Sequence, residues 1–342
     1  MSYSSVRRAL TFDDVALVPQ FNNIPSRTEP SLETWLTRNR KIQMPLVNAN
    51  MDTVIGDDLA EVLFKNGSIP LFHRFTEFAA QKEWVKKYRD RTFISAGIHN
   101  LEETRELLEL GAIGVCIDVA HGHSDKMFRY VEAIKETHPG KEVIAGNVCT
   151  PMAYHDLVNA GADAVKVGIG PGAACTTRLV TGFGVPQFTA ISDCAKIAEK
   201  LRVPLIADGG IKSSREVVIA LAAGASSVMI GKLFAATTQS AAQKRERKEA
   251  GVTIMEAKYR GQASQDFQED FYGGLKEKTV AEGVDFWMPV TGTAQQLIDT
   301  LLGGLRSGMT YGGARNLKEL QRKAEFVEVT GTYSTESRPR PQ

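Results

Sequence analysis

Nowhere in the 342 residues does an apolar run approach the ~18 residues that a membrane-spanning helix requires. The opening segment, Met1-Ser-Tyr-Ser-Ser-Val-Arg-Arg, also lacks the long apolar stretch of a signal peptide, so a cytoplasmic setting is expected. An excess of one charge is missing as well. Lys and Arg number 41 against 40 Asp and Glu, a formal net charge of +1. A general nucleic-acid binder carries a basic excess, so neither a nucleic acid nor a membrane is expected as a partner. Cysteine is scarce and scattered: Cys116, Cys149, Cys175 and Cys194 form no CxxC pair. That argues against a disulfide scaffold and a cysteine-rich zinc site, and leaves each thiol as core filler or nucleophile.

What is present suits a sizeable core, with 43% hydrophobic and 24% charged residues. The length admits two ordinary domains or one large α/β barrel. Short apolar, β-rich runs settle the choice, recurring every ~25 to 40 residues and alternating with amphipathic stretches. They begin at Met44, Ser68, Thr92, Ile113, Glu142, Ala164, Val203 and Ser227. Eight such units predict a TIM (β/α)8 barrel filling residues 1–332 as a single domain. Between them, Leu101, Thr104, Leu107 and Leu108 share one helical face, as do Val217, Val218 and Leu221. Chemistry in this fold gathers where the strands end. Those ends carry Asn50-Met51-Asp52, His73-Arg74, Asp118, Asn147, a glycine loop from Gly168, Asp208-Gly209-Gly210 and Gly231-Lys232. Beyond them the pattern breaks. Gln243 to Glu249 is a charge run, read as a solvated helix or loop, and about 255–290 reads as a mobile flap inserted after strand eight. Residues 333–342 read as a disordered tail.

The stretch from Lys166 to Arg178 carries the strongest chemical signal. Its closely spaced glycines, Gly168, Gly170 and Gly172, allow a tight turn that aims backbone groups at an ion or ligand. The loop then delivers Cys175, followed by two hydroxyls and Arg178. A thiol on an exposed loop near a cation loses its proton easily and attacks carbon. Cys116, Cys149 and Cys194 read instead as structural. Loops after strands seven and eight commonly bind phosphate, which marks Gly209, Gly210 and Gly231 as amide donors. Phosphate would repel Asp208, so a sugar hydroxyl suits it better, whereas Lys232 can add a charge-assisted contact to the phosphate.

Several segments now combine: Asn50-Met-Asp-Thr-Val, Ile117-Asp-Val-Ala-His-Gly-His-Ser, Ala145-Gly-Asn-Val, the cysteine loop, Ala207-Asp-Gly-Gly-Ile and Gly303-Gly-Leu-Arg-Ser-Gly. In this order, over residues 10 to 330, they resemble the IMP dehydrogenase/GMP reductase family. The resemblance implies a purine nucleotide held by its phosphate, with Cys175 bonded covalently to C2 of the base. Thr177 and Glu282 match the family's proton-handling pair. Substrate contacts are implied for Asp208, Gly209, Gly210, Gly231, Lys232, Tyr259, Asn147, Met51, Ala263 and Ser264. Asp118, Ala120, His121 and Arg74 are implied on the dinucleotide side, and backbone carbonyls of Gly170, Gly172 and Cys175 for K+. A homotetramer is implied too, with Gly303–Tyr311 near a neighbour.

Two features favour the GMP reductase branch. No CBS modules fit between strand two and the next helix, and Ser264-Gln-Asp-Phe-Gln268 lacks the flap Arg-Tyr pair that activates water in the dehydrogenases. The expected reaction is the NADPH-dependent reductive deamination of GMP to IMP and ammonia. The alternatives are an IMP dehydrogenase lacking CBS modules, which converts IMP and NAD to XMP, and a reductase of a related purine nucleotide. A catalytically silent nucleotide-binding barrel is a further one. Ala173 departs from the family's phosphate-binding serine, and Lys232 stands where serine or glycine is usual.

Overall fold

Seven parallel strands curl into one sheet in the spatial order 46–48, 227–230, 205–208, 164–167, 142–148, 114–118, 93–96 in the computed structural model, which describes residues 6–339. Helices run back over the outside between them. Strands Phe93–Ala96, Ala164–Val167 and Ser227–Ile230 are buried along their whole length, as expected for a parallel sheet covered on both faces. In-register pairs such as Val165 with Leu205 and Val228 with Leu46 fix the ladder. Side-chain caps start the outer helices: Ser124, Thr150, Ser213 and Thr293 each accept from a backbone N–H of the first turn.

The eighth unit differs from expectation. The run Ser68–His73 forms no strand, only a parallel bridge from Leu71 to Phe93. Pro70 has no N–H to give, so the segment pairs outward through the Pro70 carbonyl and the Phe72 N–H. On its other side Asn48 closes the seam. Its amide donates to Leu71 O at 2.8 Å, and its Oδ1 accepts from Leu71 N–H at 3.1 Å. One buried side chain thereby completes the barrel where backbone pairing lapses.

The insertion after the last barrel strand is ordered. Lys244–Glu249, Val252–Arg260 and Asp285–Pro289 make a three-stranded antiparallel sheet, and a helix spans Gln265–Tyr272. The charge run is therefore a strand, not a helix or loop. Arg245 and Arg247, two residues apart on one face, both donate to Glu256 across the ladder at 2.9 Å. Tyr333–Glu336 forms a turn of helix where a disordered tail was expected, and 340–342 lie outside the described residues. The segment Gly303–Tyr311, expected near a neighbouring subunit, lies in helix Ala294–Tyr311. A Cβ at Gly304 would collide with Ser214, and one at Gly308 would lie 2.8 Å from Val218. Those two glycines serve close packing against helix Ser214–Ala222 within the chain. No helix among the described residues is long and apolar enough to cross a membrane.

Candidate active site

Cys175 lies half-buried on the loop that leaves strand Ala164–Val167. Its N–H donates to Gly172 O at 3.1 Å, closing a turn. Its thiol donates to Thr177 Oγ1 at 3.3 Å. Gly170, at φ +86, leaves room for the Arg178 side chain, whose Nε donates to Ile169 O at 3.0 Å. A second bond from Arg178 reaches Val185 O at 2.6 Å. Arg178 braces the loop through carbonyls, so its role is structural as well as electrostatic. The other thiols differ in kind. Burial pushes Cys116 and Cys194 up to about 12 and raises Cys149, so all three stay neutral near pH 7.

Strand ends gather around this loop. Gly209, at φ +94, lets the Asp208–Gly210 turn press on Pro171, which a Cβ there would meet at 2.9 Å. Asn147 donates to Gly168 O at 2.8 Å and Asp208 Oδ2 at 2.9 Å, while its own Oδ1 is buried without a partner. Gln187 reinforces the same spot, donating to Val167 O at 2.9 Å and Asp208 O at 3.1 Å. Tyr259, Met51 and Gly231 also come together. The phenol reaches Met51 Sδ at 3.6 Å and would meet a Gly231 Cβ at 2.6 Å. Burial, then the charges of Asp208 and Cys175, raise the Tyr259 hydroxyl above its ordinary value, so it remains a donor.

Flap and loop interlock through backbone. Thr176 N–H donates to Glu282 O at 2.9 Å, and Val284 N–H to Ala174 O at 2.9 Å. Glu282 N–H in turn donates to Ala263 O at 3.0 Å. Glu282 thus joins the cysteine loop beside Thr177. Ser264 is fully buried, and its hydroxyl accepts from Phe267 N–H, which caps the flap helix. Lys232 is exposed, with its ammonium 5.4 Å from the Phe286 ring centroid. Ala120 and His121 lie in the loop after strand Gly114–Asp118, where Gly122 N–H donates to Asn147 O at 2.8 Å. Arg74 is stacked over Phe75 at 4.4 Å and lies 3.3 Å from the Tyr272 hydroxyl of the flap helix. A separate recess of about 400 Å³ lies outside the barrel, lined by residues such as Leu17, Val218, Tyr311 and Tyr333, and shares none of these groups.

Two residues escaped the sequence reading. Lys166, in the middle of an apolar strand, is fully buried between Asp118 and Asp208. Its signal was there, a charged residue at a core position. Arg260 donates twice to Asp52, through Nε at 2.9 Å and Nη2 at 2.7 Å, and reaches Asp266 and Asp270 of the flap helix. That clustering depends on tertiary folding and leaves no local pattern.

A TIM-like barrel with a loop cysteine at its strand ends and an ordered flap against that loop has the build of a barrel enzyme with a thiol nucleophile. A family model for the IMP dehydrogenase / GMP reductase domain matches residues 9–340. The chain belongs to the IMP dehydrogenase/GMP reductase family of oxidoreductases, which act on purine nucleotides with a nicotinamide dinucleotide. It is 34% identical to the inosine-5'-monophosphate dehydrogenase of Borreliella burgdorferi, covering 97% of both chains. It is also 34% identical to that of Cryptosporidium parvum, over 98% of this chain and 96% of the relative. Identity to the Aquifex aeolicus inosine-5'-monophosphate dehydrogenase is 44%, over 97% and 95%.

These relatives overturn the expected GMP reductase activity. The error has a clear origin. Alignments that take in nearly all of each relative run to 395 and 390 positions for the first two but to 471 for the third, so the dehydrogenases differ widely in length among themselves. A missing insertion between strand two and its helix therefore does not mark a reductase. The two flap positions in Ser264–Gln268 weigh less than likeness across the whole chain.

Proposed function

We propose that this protein oxidises IMP to XMP with NAD as the hydride acceptor. The observation that carries this reading is the 34–44% identity to inosine-5'-monophosphate dehydrogenases over almost the full chain, joined to a half-buried cysteine on the strand-end loop.

The base sits against the cysteine loop, with its ribose hydroxyls donating to Asp208 and its phosphate at Gly209, Gly210 and Gly231. Lys232 swings from Phe286 to the phosphate and supplies the cation that replaces the hydroxyl absent at Ala173. Tyr259 donates its hydroxyl beside Gly231, and Met51 packs under the base. The residues present fit a nicotinamide dinucleotide. Asn147 Oδ1, buried and unpartnered, is an acceptor suited to an amide N–H, and Asp118 ends the adjoining strand. When bound, that dinucleotide supplies the acceptor for the hydride. Ala120 and His121 line the same side, and Arg74 is available to it when the flap helix withdraws. Hard carbonyl oxygens at Gly170, Gly172 and Cys175 suit K+.

Cys175 attacks C2 as thiolate, its proton passing towards Thr177. Loss of hydride from C2 leaves a purine joined to sulfur. Water then adds at C2, and Thr177 with Glu282 takes its proton in place of a flap arginine. The C–S bond breaks, sulfur takes back a proton, and XMP leaves. Net, IMP, NAD and water give XMP, NADH and one proton. Positioned proton transfer of this kind is worth about 100-fold or more.

Incubating the protein with IMP and NAD, and separately with GMP and NADPH, tests the reading. NADH and XMP appearing in equal amounts support it. Consumption of GMP and NADPH with no XMP from IMP overturns it.

A further inference from the structure

Three barrel strands meet at one ammonium. Lys166 sits in strand Ala164–Val167 with 1% of its surface exposed. Its Nζ donates to Asp118 Oδ1 at 2.5 Å and to Asp208 Oδ2 at 3.1 Å, with Met229 Sδ 3.9 Å away. Asp118 ends strand Gly114–Asp118, and Asp208 ends strand Leu205–Asp208. Asn50 adds a bond to the free oxygen of Asp118 at 3.3 Å, and Asn147 adds one to Asp208 Oδ2 at 2.9 Å. Burial alone would push the Lys166 pKa down, but the two carboxylates outweigh it and hold the group charged. Such a buried ion is costly to keep dry and gives weak stabilisation, because an apolar residue of similar volume often does as well. Here it stands between two carboxylates that end different strands.

We propose that Lys166 is a positioning residue that couples the mononucleotide and dinucleotide sites by sharing one ammonium between Asp208 and Asp118. The inference rests on the roles given to those two carboxylates under the proposed function. Each carboxylate accepts hydrogen bonds less well the more of the ammonium's charge it holds. Ribose hydroxyls donating to Asp208 loosen its grip and let the ammonium move towards Asp118. A ligand donating to Asp118 moves it back. Coupling of this kind is reciprocal between the two sites.

A double-mutant cycle on nucleotide affinity reads it directly. IMP and GMP are titrated by calorimetry, with no dinucleotide present, into wild type, Asp118→Asn, Lys166→Met and the double variant. Asp118→Asn hands the whole ammonium to Asp208, so the purine nucleotide that binds should bind about fivefold more weakly. In the Lys166→Met background the same change should matter less than twofold. Steady-state kinetics add a second readout: in Lys166→Met the concentration of one nucleotide should no longer change the KM of the other, and Lys166→Arg should restore part of that dependence. Asp118→Asn leaving nucleotide affinity within twofold, while the dinucleotide KM rises, overturns the coupling even if the lysine variants do not fold. A wild type that binds GMP alone overturns the proposed reaction instead and leaves the coupling readable with GMP.

Discussion

The hydroxyl of Thr177 accepts from the Cys175 thiol at 3.3 Å, and no other side-chain partner of that sulfur occurs among the described residues. The next N–H back along the chain, from Thr176, holds the carbonyl of Glu282. Nucleophile, hydroxyl and carboxylate-bearing segment are thus joined within a few residues. Replacing Thr177 with Val keeps the volume and removes the oxygen. We expect kcat for XMP formation to fall at least about 10-fold, since a positioned proton carrier is worth about 100-fold or more when no substitute exists. IMP affinity should stay within about twofold, and Thr177→Ser should restore most of the rate. A Val variant with unchanged kcat would remove Thr177 from the chemistry.

Thiol reactivity should single out one cysteine of four. Cys116 and Cys194 are buried and held near 12, and Cys149 is raised by burial. At pH 7.5 the fraction of thiolate at a group near 12 is below about one in 10,000. Limiting iodoacetamide at that pH should label Cys175 first, as read by peptide mass mapping, and bound IMP should protect it. Labelling of Cys116 or Cys194 at a comparable rate would contradict their burial.

How much of this was legible without coordinates depended on what each signal was made of. Buried parallel strands are continuous apolar runs, so seven of the eight could be read directly. The run at Ser68 failed because Pro70 cannot donate and Asn48 does the pairing from another segment, a contact with no local trace. Lys244–Glu249 failed for the opposite reason. Its strand face is made of arginines held by Glu256 and not of apolar residues, so no hydrophobic alternation exists to detect. At the site, Cys175 stood out through its glycine loop, and Asp208 through its position at a strand end. Ser264 reads as a substrate contact from its motif, and nothing local to the motif shows that its hydroxyl also caps the flap helix.

Stability should fall in mild acid through His73. Burial lowers its pKa from 6.5 to about 4, and its Nδ1 accepts from Phe75 N–H at 3.1 Å. The unfolded chain therefore takes up a proton below about pH 6.5 that the folded one refuses until about pH 4, so stability is lost as pH drops through that window. By pH 5 the loss comes to about 2 kcal/mol. Phe75, which this bond orients, packs edge-on against Phe267 of the flap helix at 4.7 Å. Urea unfolding at pH 7 and pH 5 should show a smaller drop for His73→Gln than for wild type. Equal drops would assign the acid sensitivity elsewhere.

Arg260 is the clasp that holds the flap to the barrel. It lies on strand Val252–Arg260, donates twice to Asp52 beyond the first barrel strand, and reaches Asp266 and Asp270 on the flap helix. Burial would lower the Arg260 pKa, but the three carboxylates raise it instead, so the cation persists at any working pH. Burial raises Asp52 despite this partner, and its Oδ1 is already unpaired. Arg260→Leu leaves Asp52 as a buried carboxylate without a counter-ion, at a cost of about 3 kcal/mol if it stays charged. It also loosens the helix Gln265–Tyr272, which keeps the Lys258–Asp266 ion pair and the contact of Phe267 with Phe75. We expect chymotrypsin to cut within 261–284 about 10-fold faster in this variant while the barrel core remains intact, with kcat lowered because Glu282 rides on the same flap. Arg260→Lys keeps the charge but not the forked donation to Asp52, and should fall between the two. An unchanged cleavage rate in Arg260→Leu would mean that the remaining contacts, the Lys258–Asp266 ion pair, the backbone bonds to Ala174 and Thr176 and the packing of Phe267 on Phe75, hold the flap without Arg260.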